Sequence, residues 1–516
     1  MLPYLNVTAK NSKKYTVAFK GINYGEERAD GEFSESQNIS TAHYPCLSQR
    51  SGRKMEWAYS YYPTTLHAKD GLFVVDGVDL YFNREKVGRL NEKESRKQIA
   101  TVGNYIVIFP DKLYYNLEND ETKSKGLQKM DVDWSGSVSF TDTTITTTGD
   151  EFPFRVGDAI TISGCSDHPE NNKTVEQAII IRGVDKNVLT FYENSFTAGT
   201  ETGEVTLKRD VPDLDFICES NYRLWGTKGN TIYSSKFMDP LNFNSFDASA
   251  ADSYAISVGS DGEFTGCAPF SSHICFFKEN TLHKLYGSKP SNFQIVTSQV
   301  YGVQAGSERS ICIINETLFY KGVGGVYAYT GGVPELVSGK FGVRKYSEAC
   351  AATDGSRYYI SMREGDNWNL FVYDVRRNLW VREDDTHCVD MAFHDGHVYF
   401  LKASGGLYKV DSDADKSDIE WSVTFCPFNE TVNERKGYSK FHMRLELAAG
   451  SWLTVEQKRN DEVSWQKIYS THNEKARTVS IPVVPARCDS VEIRVSGKGE
   501  CLLRTFIREF FTGSDV

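Results

Sequence analysis

A run of acidic residues is the first place where this sequence could do chemistry. Glu383, Asp384 and Asp385 are consecutive in the segment VREDDTH, and His387 follows them closely. Two carboxylates that face each other across a pocket can hydrolyse a glycosidic bond. Three adjacent acids at the end of a strand are more typical of a solvated turn. The segment therefore predicts a turn, and a cryptic glycoside hydrolase stays the third hypothesis for the chain.

A calcium loop is the second possibility. Three aspartates alternate in the segment DSDADKSD (411–418), and they are Asp411, Asp413 and Asp415. They match the opening of an EF-hand loop, whose sixth position is Gly and whose twelfth is Glu. Here those positions hold Lys416 and Ser422. The pattern fails at both, so the segment predicts a linker and no metal site.

Other reactive motifs are absent from the sequence. There is no GxSxG elbow, no GxxxxGK[ST] loop, and no HExxH or HxH spacing among the ten histidines. The glycine-rich run at 322–332 joins two strand-like segments, so its glycines predict tight turns. Three histidines have strand-like neighbours and are expected to be packed or half-exposed: His67, His273 and His397. We expect no catalytic residue, no cofactor and no enzymatic activity.

Composition narrows the function classes further. The net charge is −11, and a dedicated nucleic-acid binder usually shows a basic surplus. The basic residues of 84–97 alternate with acids, which predicts a solvated loop. No apolar run approaches the length of a signal peptide core or of a membrane span, so we expect no membrane insertion. The eleven cysteines form no CxxC pair and are expected to be buried, reduced thiols of a protein made in the cytoplasm.

Repeated hairpins dominate the chain between residues 66 and 411. Each unit has a strand of small residues, a turn at Gly, Asn or Asp, an aromatic strand, a second turn and a strand carrying Tyr. The units lie at 66–90, 98–116, 216–235, 266–287, 310–332, 349–380 and 390–411. Clear starts recur about every 40 residues, as in propeller blades. Seven blades are counted. Six stays open, because the last unit lacks an outer strand and borrows one from the N-terminal segment.

The remaining segments predict added β domains, so the expected fold is an all-β, six- or seven-bladed propeller with an inserted barrel and a C-terminal sandwich. The inserted segment alternates as small-barrel strands do, and the last hundred residues suit a β-sandwich. The polar start suits an extended arm on a surface, including a neighbour's. The predicted boundaries are 1–62 for the arm, 63–130 for the first blades, 131–210 for the insert, 211–412 for the remaining blades and 413–516 for the sandwich.

Several segments resemble the propeller proteins of tailed bacteriophages that are called tail nozzle, stabilisation or head-to-tail connector proteins. The segments are FKGINYGEERADGEFSESQNIS, YPCLSQRSGR, NYRLWG (221–226), NTIYSS (230–235), FFKENTLHKLYGSKPSNFQ (276–294), GVQAGSERS (302–310) and GGVYAYTGGVPELVS (324–338). The distinctive parts are the hairpin at 278–280, the Pro-Ser-Asn-Phe turn at 290–293 and GSERS. These motifs are structural turns rather than catalytic signatures, and the pattern covers most of residues 15–410.

The resemblance implies a structural virion protein. It implies a homo-oligomeric ring, commonly a hexamer, near the portal and adaptor proteins and the tail proteins. Double-stranded DNA would pass through its lumen without specific binding, as the acidic balance favours. The alternative is a host-surface protein whose C-terminal sandwich binds glycans, with Trp452 or Trp465 as the stacking platform.

Overall fold

The computed structural model describes residues 10–91, 96–118, 126–412, 418–460, 462–472, 477–484 and 486–512. Strands account for 54% and helices for 3% of the structure, so the chain is all-β, as expected. It divides into two compact units. The central unit is Tyr61–Glu308, and the terminal unit combines Met1–Ser60 with Arg309–Val516.

Eight four-stranded antiparallel sheets form within the described residues, and seven of them are the blades of a β-propeller. Blades 1 to 4 belong to the central unit. Their strands are Pro63–Ala68, Leu72–Asp76, Asp79–Phe82 and Glu85–Arg89 in blade 1; Gln98–Val102, Tyr105–Phe109, Leu113–Asn116 and Gln128–Lys129 in blade 2; Phe216–Ser220, Arg223–Lys228, Thr231–Ser234 and Tyr254–Ser257 in blade 3; and Gly266–Phe270, His273–Lys278, Thr281–Tyr286 and Gln294–Ser298 in blade 4.

Blades 5 to 7 belong to the terminal unit. Their strands are Cys312–Ile314, Thr317–Gly322, Gly325–Tyr329 and Glu335–Leu336 in blade 5; Ser347–Thr353, Arg357–Glu364, Asn367–Asp374 and Leu379–Asp384 in blade 6; and Cys388–His394, His397–Lys402, Leu407–Ser412 and Gly52–Trp57 in blade 7. The count of seven is thus confirmed, and blade 7 takes its outer strand from the N-terminal segment. Within each unit the first strands of successive blades lie side by side.

The tight hairpins of the blades explain why the repeat is visible in the sequence. A two-residue turn that matches the twist of its strands needs positive φ at both central residues, which Asn tolerates. Asn315 and Glu316 have φ of 47° and 61°, and Asn221 and Tyr222 have 52° and 56°. The strand after each turn carries the apolar run, as in His273–Lys278, where every residue is buried.

The insert is a separate pair of small sheets with its own core, which confirms the expected barrel-like domain. One sheet contains Val132–Gly136, Val205–Arg209, Ala159–Ser163 and Ile179–Ile180, and the other contains Gly183–Asp185, Val188–Thr190, Thr144–Thr147, Val138–Phe140 and Gly199–Thr200. Short 3-10 turns occur at Pro169–Asn171 and Val175–Gln177. Buried Ile145, Ile160 and Leu207 lie in the core between the sheets.

The C-terminal β-sandwich has two sheets. The five-stranded sheet contains Phe33–Gln37, Glu420–Phe425, Val491–Lys498, Trp452–Arg459 and Gln466–Thr471. The seven-stranded sheet contains Ile39–Ser40, Leu47–Gln49, Cys501–Thr512, Lys436–Leu447 and Arg477–Pro482, with Lys10–Thr16 and Arg487–Cys488 paired beside them. The strands of the two sheets alternate between buried and exposed residues, and Val423, Met443 and Phe506 are completely buried between the sheets.

The N-terminal segment differs from the expected extended arm. Its described part forms five strands that pair within the same chain, four in the sandwich and one in blade 7. The reason is apolar burial: Phe19, Ile22 and Phe33 are at most 4% exposed, and the Phe33 ring packs edge-on against Phe425 at 5.4 Å between centroids. The arm is therefore a built-in part of the terminal unit.

Three further 3-10 turns lie at Pro290–Asn292, Glu308–Ser310 and Gly339–Phe341. All eleven cysteines are free thiols, and most are buried. A search of the described residues finds no helix with the length and apolarity needed to cross a membrane.

Candidate functional site

The acidic run after blade 6 does not form an exposed turn. Glu383 and Asp384 end the last strand of that blade and are buried. Both accept hydrogen bonds from Arg53, on the outer strand of blade 7, and the Arg53–Asp384 contact measures 2.7 Å. Arg53 also donates to the Thr386 hydroxyl at 2.9 Å. Only Asp385 faces solvent as expected.

The electrostatics of this cluster are those of a structural ion network. Burial on its own would raise the pKa of Asp384, but Arg53, Thr386 and Arg50 outweigh it and lower the pKa. Burial would likewise lower the pKa of Arg53, and the two carboxylates raise it instead. A carboxylate held ionised in this way is a poor general acid. The arrangement joins the N-terminal segment to blades 6 and 7.

His387 follows the acidic run in the chain and packs on an aromatic side chain of blade 6. Its ring stacks face to face on Trp368, with centroids 3.6 Å apart and planes 8° apart. Stacking of this kind fixes the position of the imidazole over an aromatic face. The residue is half-buried and packs on blade 6.

A second buried ion network, which the sequence did not reveal, lies in the sandwich. Arg508 is 1% exposed and donates to Glu430 at 2.7 Å, to the Thr16 hydroxyl at 2.7 Å and to Asp30 at 2.9 Å. Its guanidinium also lies 3.8 Å from the ring centre of Phe428. Two of the four partners belong to the N-terminal segment. The network therefore holds that segment against the C-terminal strands.

The hairpin at 278–280, one of the segments that carry the family resemblance, contains a buried lysine. Lys278 is 1% exposed, and its ammonium group donates to the Asn230 side chain at 2.6 Å and to the Ser260 carbonyl at 2.7 Å. Burial lowers its pKa. It also lies 5.0 Å from the ring centre of Phe264. Lys278 thus ties blade 4 to a turn of blade 3.

The other two distinctive motifs also fix the chain, one within a turn and one between elements. In the Pro-Ser-Asn-Phe turn, the Asn292 side-chain oxygen accepts the backbone N–H groups of Ser288 and Lys289, both at 3.0 Å. In GSERS, Arg309 donates to Asp390 in blade 7. These residues work as clamps, in agreement with their description as structural turns.

The three histidines expected to be packed or half-exposed are so. His273 is buried against Tyr286, His397 is half-exposed, and a His67 ring nitrogen lies 2.8 Å from the Thr101 hydroxyl. The sequence analysis missed His283, which is 1% exposed with both ring nitrogens within 2.9 Å of the hydroxyls of Ser260 and Thr297.

The segment 411–418, which was predicted to be a linker without a metal site, lies largely outside the described residues, because these exclude 413–417. Asp411 lies at the end of the third strand of blade 7. Across the part of the chain that is described, no three His, Cys, Asp or Glu residues are grouped to hold a metal ion.

The prediction of a solvated loop for the basic segment 84–97 is wrong for its described part. Glu85–Arg89 is the fourth strand of blade 1, not a solvated loop. Lys97 is 1% exposed and its ammonium group lies 2.8 Å from the Asp111 carboxylate. Alternating charge therefore concealed both an edge strand and a buried ion pair.

The two sandwich tryptophans named for glycan stacking differ in access. Trp452 is 39% exposed. Arg494 and Lys458 cover Trp465, with their charged groups 4.4 Å and 5.2 Å from its ring system. A sugar could not stack on Trp465 without displacing these cations, so only Trp452 offers a free aromatic face.

Comparison with known proteins identifies no function for the chain, so its function has to be inferred from its own residues. No family model and no curated protein matches the chain. Among solved structures, it is similar to BamB from Moraxella catarrhalis at 9% identity, with a TM-score of 0.35, over 71% of this chain and 98% of that one. Hsv2 from Kluyveromyces lactis matches at 13% identity and a TM-score of 0.27, over 58% and 96% of the two chains. An exo-beta-1,3-galactanase from Phanerochaete chrysosporium matches at 9% and 0.21, over 55% and 92%. Likenesses this distant carry no argument about activity.

Proposed function

We propose that this chain is a structural, non-enzymatic protein of a tailed-bacteriophage virion that forms an oligomeric ring in the neck or tail nozzle. The ring would retain the genome and conduct it. The observation that carries the proposal is the role of the resembling motifs. Lys278 and Arg309 act as clamps between elements and Asn292 fixes a turn, which is what a load-resisting scaffold requires.

Charge supports the same role. The chain carries 58 basic and 69 acidic residues, so its net charge is −11. A surface with a negative balance repels the phosphate backbone, and duplex DNA would pass along it without lasting contacts. In this position the ring would bind adaptor and portal-proximal proteins on one side and tail proteins on the other. The protein would be synthesised in the cytoplasm of the bacterial host and would then be located in the virion.

An exposed apolar patch offers a surface for a second copy of the chain. Tyr222 and Met238 are 60% and 68% exposed, and Phe237 beside them is 41% exposed. Both Tyr222 and Met238 have positive φ, which is uncommon for large side chains. The backbone N–H of Met238 donates to the Tyr222 carbonyl at 2.9 Å and fixes this display. Aromatic residues and Met are enriched at protein interfaces.

Native mass spectrometry of the purified full chain tests the ring. We expect one dominant closed oligomer, six-fold in the simplest case, whose population rises with concentration. The variant Met238→Glu places a charge in the patch and should shift the equilibrium toward the monomer. Val175→Glu is the matched control, because Val175 is 78% exposed in the insert. Normal assembly of Met238→Glu would exclude the patch from the interface, whereas a wild-type chain that stays monomeric at all concentrations would contradict the ring.

The glycan-binding alternative rests on Trp452 alone. Replacing Trp452 with Ala would abolish glycan retention under that alternative and would leave assembly unchanged under ours. A glycan array without hits for the wild-type chain would remove the alternative.

A further inference from the structure

Two cysteines lie on neighbouring strands of blades 3 and 4 in the central unit. Cys218 belongs to Phe216–Ser220, the first strand of blade 3, and Cys267 belongs to Gly266–Phe270, the first strand of blade 4. These two strands lie side by side. Both cysteines pack in one apolar core, where Cys218 is buried at 8% exposure and Cys267 is partly exposed.

The strand register directs the two side chains toward each other. Cys218 lies opposite Trp225 within blade 3, and Cys267 lies opposite Phe276 within blade 4. Residues that lie directly opposite in an antiparallel pair project from the same face of the sheet. The rings of Trp225 and Phe276 are 6.2 Å apart between centroids. The faces that carry these rings therefore meet, and each face also carries one of the cysteines.

The two thiols are in contact across this interface. A hydrogen bond between them, together with burial, raises the pKa of the Cys218 thiol well above its usual range. The Cys218 thiol therefore keeps its proton at neutral pH, and a reagent from solution reaches the partly exposed Cys267 first. A disulfide bond of about 2.05 Å is shorter than a hydrogen bond, so the sulfurs have to approach by a small rotation about the Cα–Cβ bonds.

We propose that Cys218 and Cys267 form a disulfide bond that joins blade 3 to blade 4 when the folded chain meets a two-electron thiol oxidant. Diamide, an azodicarboxamide, is a simple reagent of this class. The Cys267 sulfur adds to one nitrogen of the N=N bond, and its thiol proton passes to the other. The Cys218 sulfur then attacks the Cys267 sulfur and displaces the hydrazine, which takes up the second proton. The two thiols are thus oxidised, and the azo bond is reduced to an N–N single bond.

Cys275 is a third thiol in this region, and the strand register directs it elsewhere. It precedes Phe276 in the strand His273–Lys278, and successive side chains of a strand point to opposite faces. Cys275 therefore points away from the face that packs on blade 3. It is also completely buried, so a reagent in solution reaches Cys267 more readily.

A second pair of cysteines provides an internal reference. Cys350 and Cys388 belong to the first strands of blades 6 and 7, which also lie side by side. The Cys350 thiol donates to the Cys388 backbone carbonyl at 2.9 Å, and both residues are at most 3% exposed. Because neither member of this pair is exposed, it should stay reduced under conditions that bridge Cys218 and Cys267.

The bond would fasten two successive blades of the central unit. It would close the stretch of chain between their first strands into a loop. A cross-link of this kind stabilises a fold mainly by restricting the unfolded chain. The central unit should therefore unfold at a higher denaturant concentration after oxidation, and a reductant should reverse the change.

Peptide mapping of the full chain after brief treatment with diamide under native conditions tests the proposal. We expect a cross-linked peptide that contains Cys218 and Cys267, with the loss of two hydrogen atoms and of both free thiols. The peptides of Cys350 and Cys388 from the same sample should remain free. A reductant should release the cross-link and return the midpoint of chemical denaturation to its value before oxidation.

Cys218→Ala should abolish both the cross-link and the rise of the midpoint, while Cys267 still reacts with the reagent. Cys165→Ala is the matched control, because Cys165 is buried in the core of the insert, and this variant should keep the cross-link. Absence of a cross-linked Cys218–Cys267 peptide from the oxidised wild type would overturn the proposal. A cross-linked Cys350–Cys388 peptide in equal yield, or a bond from Cys218 to Cys275 instead of Cys267, would overturn it as well.

Discussion

Two buried arginines join distant segments of the chain within the terminal unit. Arg53 joins Glu383 and Asp384, and Arg508 joins Glu430 and Asp30. Removing one partner of a buried ion pair leaves an uncompensated charge, which costs about 3–5 kcal/mol. An exposed pair is worth about 0–1 kcal/mol. These residues should therefore dominate the stability of the unit.

Arg53→Met tests this expectation. The substitution leaves two buried carboxylates without the Arg53 cation. In chemical denaturation, the free energy of unfolding for the transition that includes the terminal unit should therefore fall by about 3–5 kcal/mol. Arg363→Met is the control, because Arg363 and its partner Glu348 are 38% and 45% exposed. The control should cost less than about 1 kcal/mol. Equal losses in the two variants would contradict the account.

His283 gives a prediction about pH. Burial, with a smaller effect from Lys278, lowers its pKa from 6.5 to about 4. Between these values the unfolded chain binds a proton that the folded chain does not. Stability is then fully present above pH 6.5 and falls as the pH falls toward 4, by about 2 kcal/mol between pH 7 and pH 5.

Denaturation of His283→Gln at pH 7 and pH 5 checks the assignment. The variant lacks the titrating group, so its stability should change less across this interval than that of the wild type. If the stability of His283→Gln changed with pH as much as that of the wild type, groups other than His283 would be responsible for the loss of stability at low pH.

At the scale of elements, the N-terminal segment matters most. Four of its strands complete the sheets of the sandwich, and Gly52–Trp57 completes blade 7. If instead the segment lay on a neighbouring subunit, its backbone would be unprotected in a dilute monomer. In the structure its amides pair within the chain.

Hydrogen exchange at a concentration where the chain is monomeric separates these cases. Amides in Phe33–Gln37 and Gly52–Trp57 should be protected as strongly as those of the strands they pair with, since both sides of a ladder open together. Asp418, which precedes the sandwich strand Glu420–Phe425, provides a fast-exchanging comparison. Complete exchange of Phe33–Gln37 within seconds would contradict the built-in position.

The sequence predicted the elements whose pattern is local. Tight turns with positive φ, such as Asn315–Glu316 and Asn221–Tyr222, form independently of distant contacts, so the blade repeat was visible. Of the N-terminal strands, the sequence indicated only the outer strand of blade 7. The others are short, and Phe33–Gln37 and Leu47–Gln49 pair with strands more than 350 residues away. Buried ion pairs such as Lys97–Asp111 were missed for the same reason: charge patterning along the chain does not show which charges meet in space.

At the scale of the whole molecule, seven blades, an insert and a sandwich are all held by packing, turns and buried ion pairs. The candidate carboxylates Glu383 and Asp384 proved to be members of such a pair. An acidic β protein held in this way suits the proposed conducting ring better than a grip on DNA.

Cryo-electron microscopy of the purified full chain, and of the particle that contains it, tests the ring most directly. The account predicts a closed ring of identical subunits around an open channel wide enough for duplex DNA, with the patch of Tyr222, Phe237 and Met238 covered by a neighbouring copy. Isolated subunits attached singly to the particle, with no ring and no channel, would contradict it.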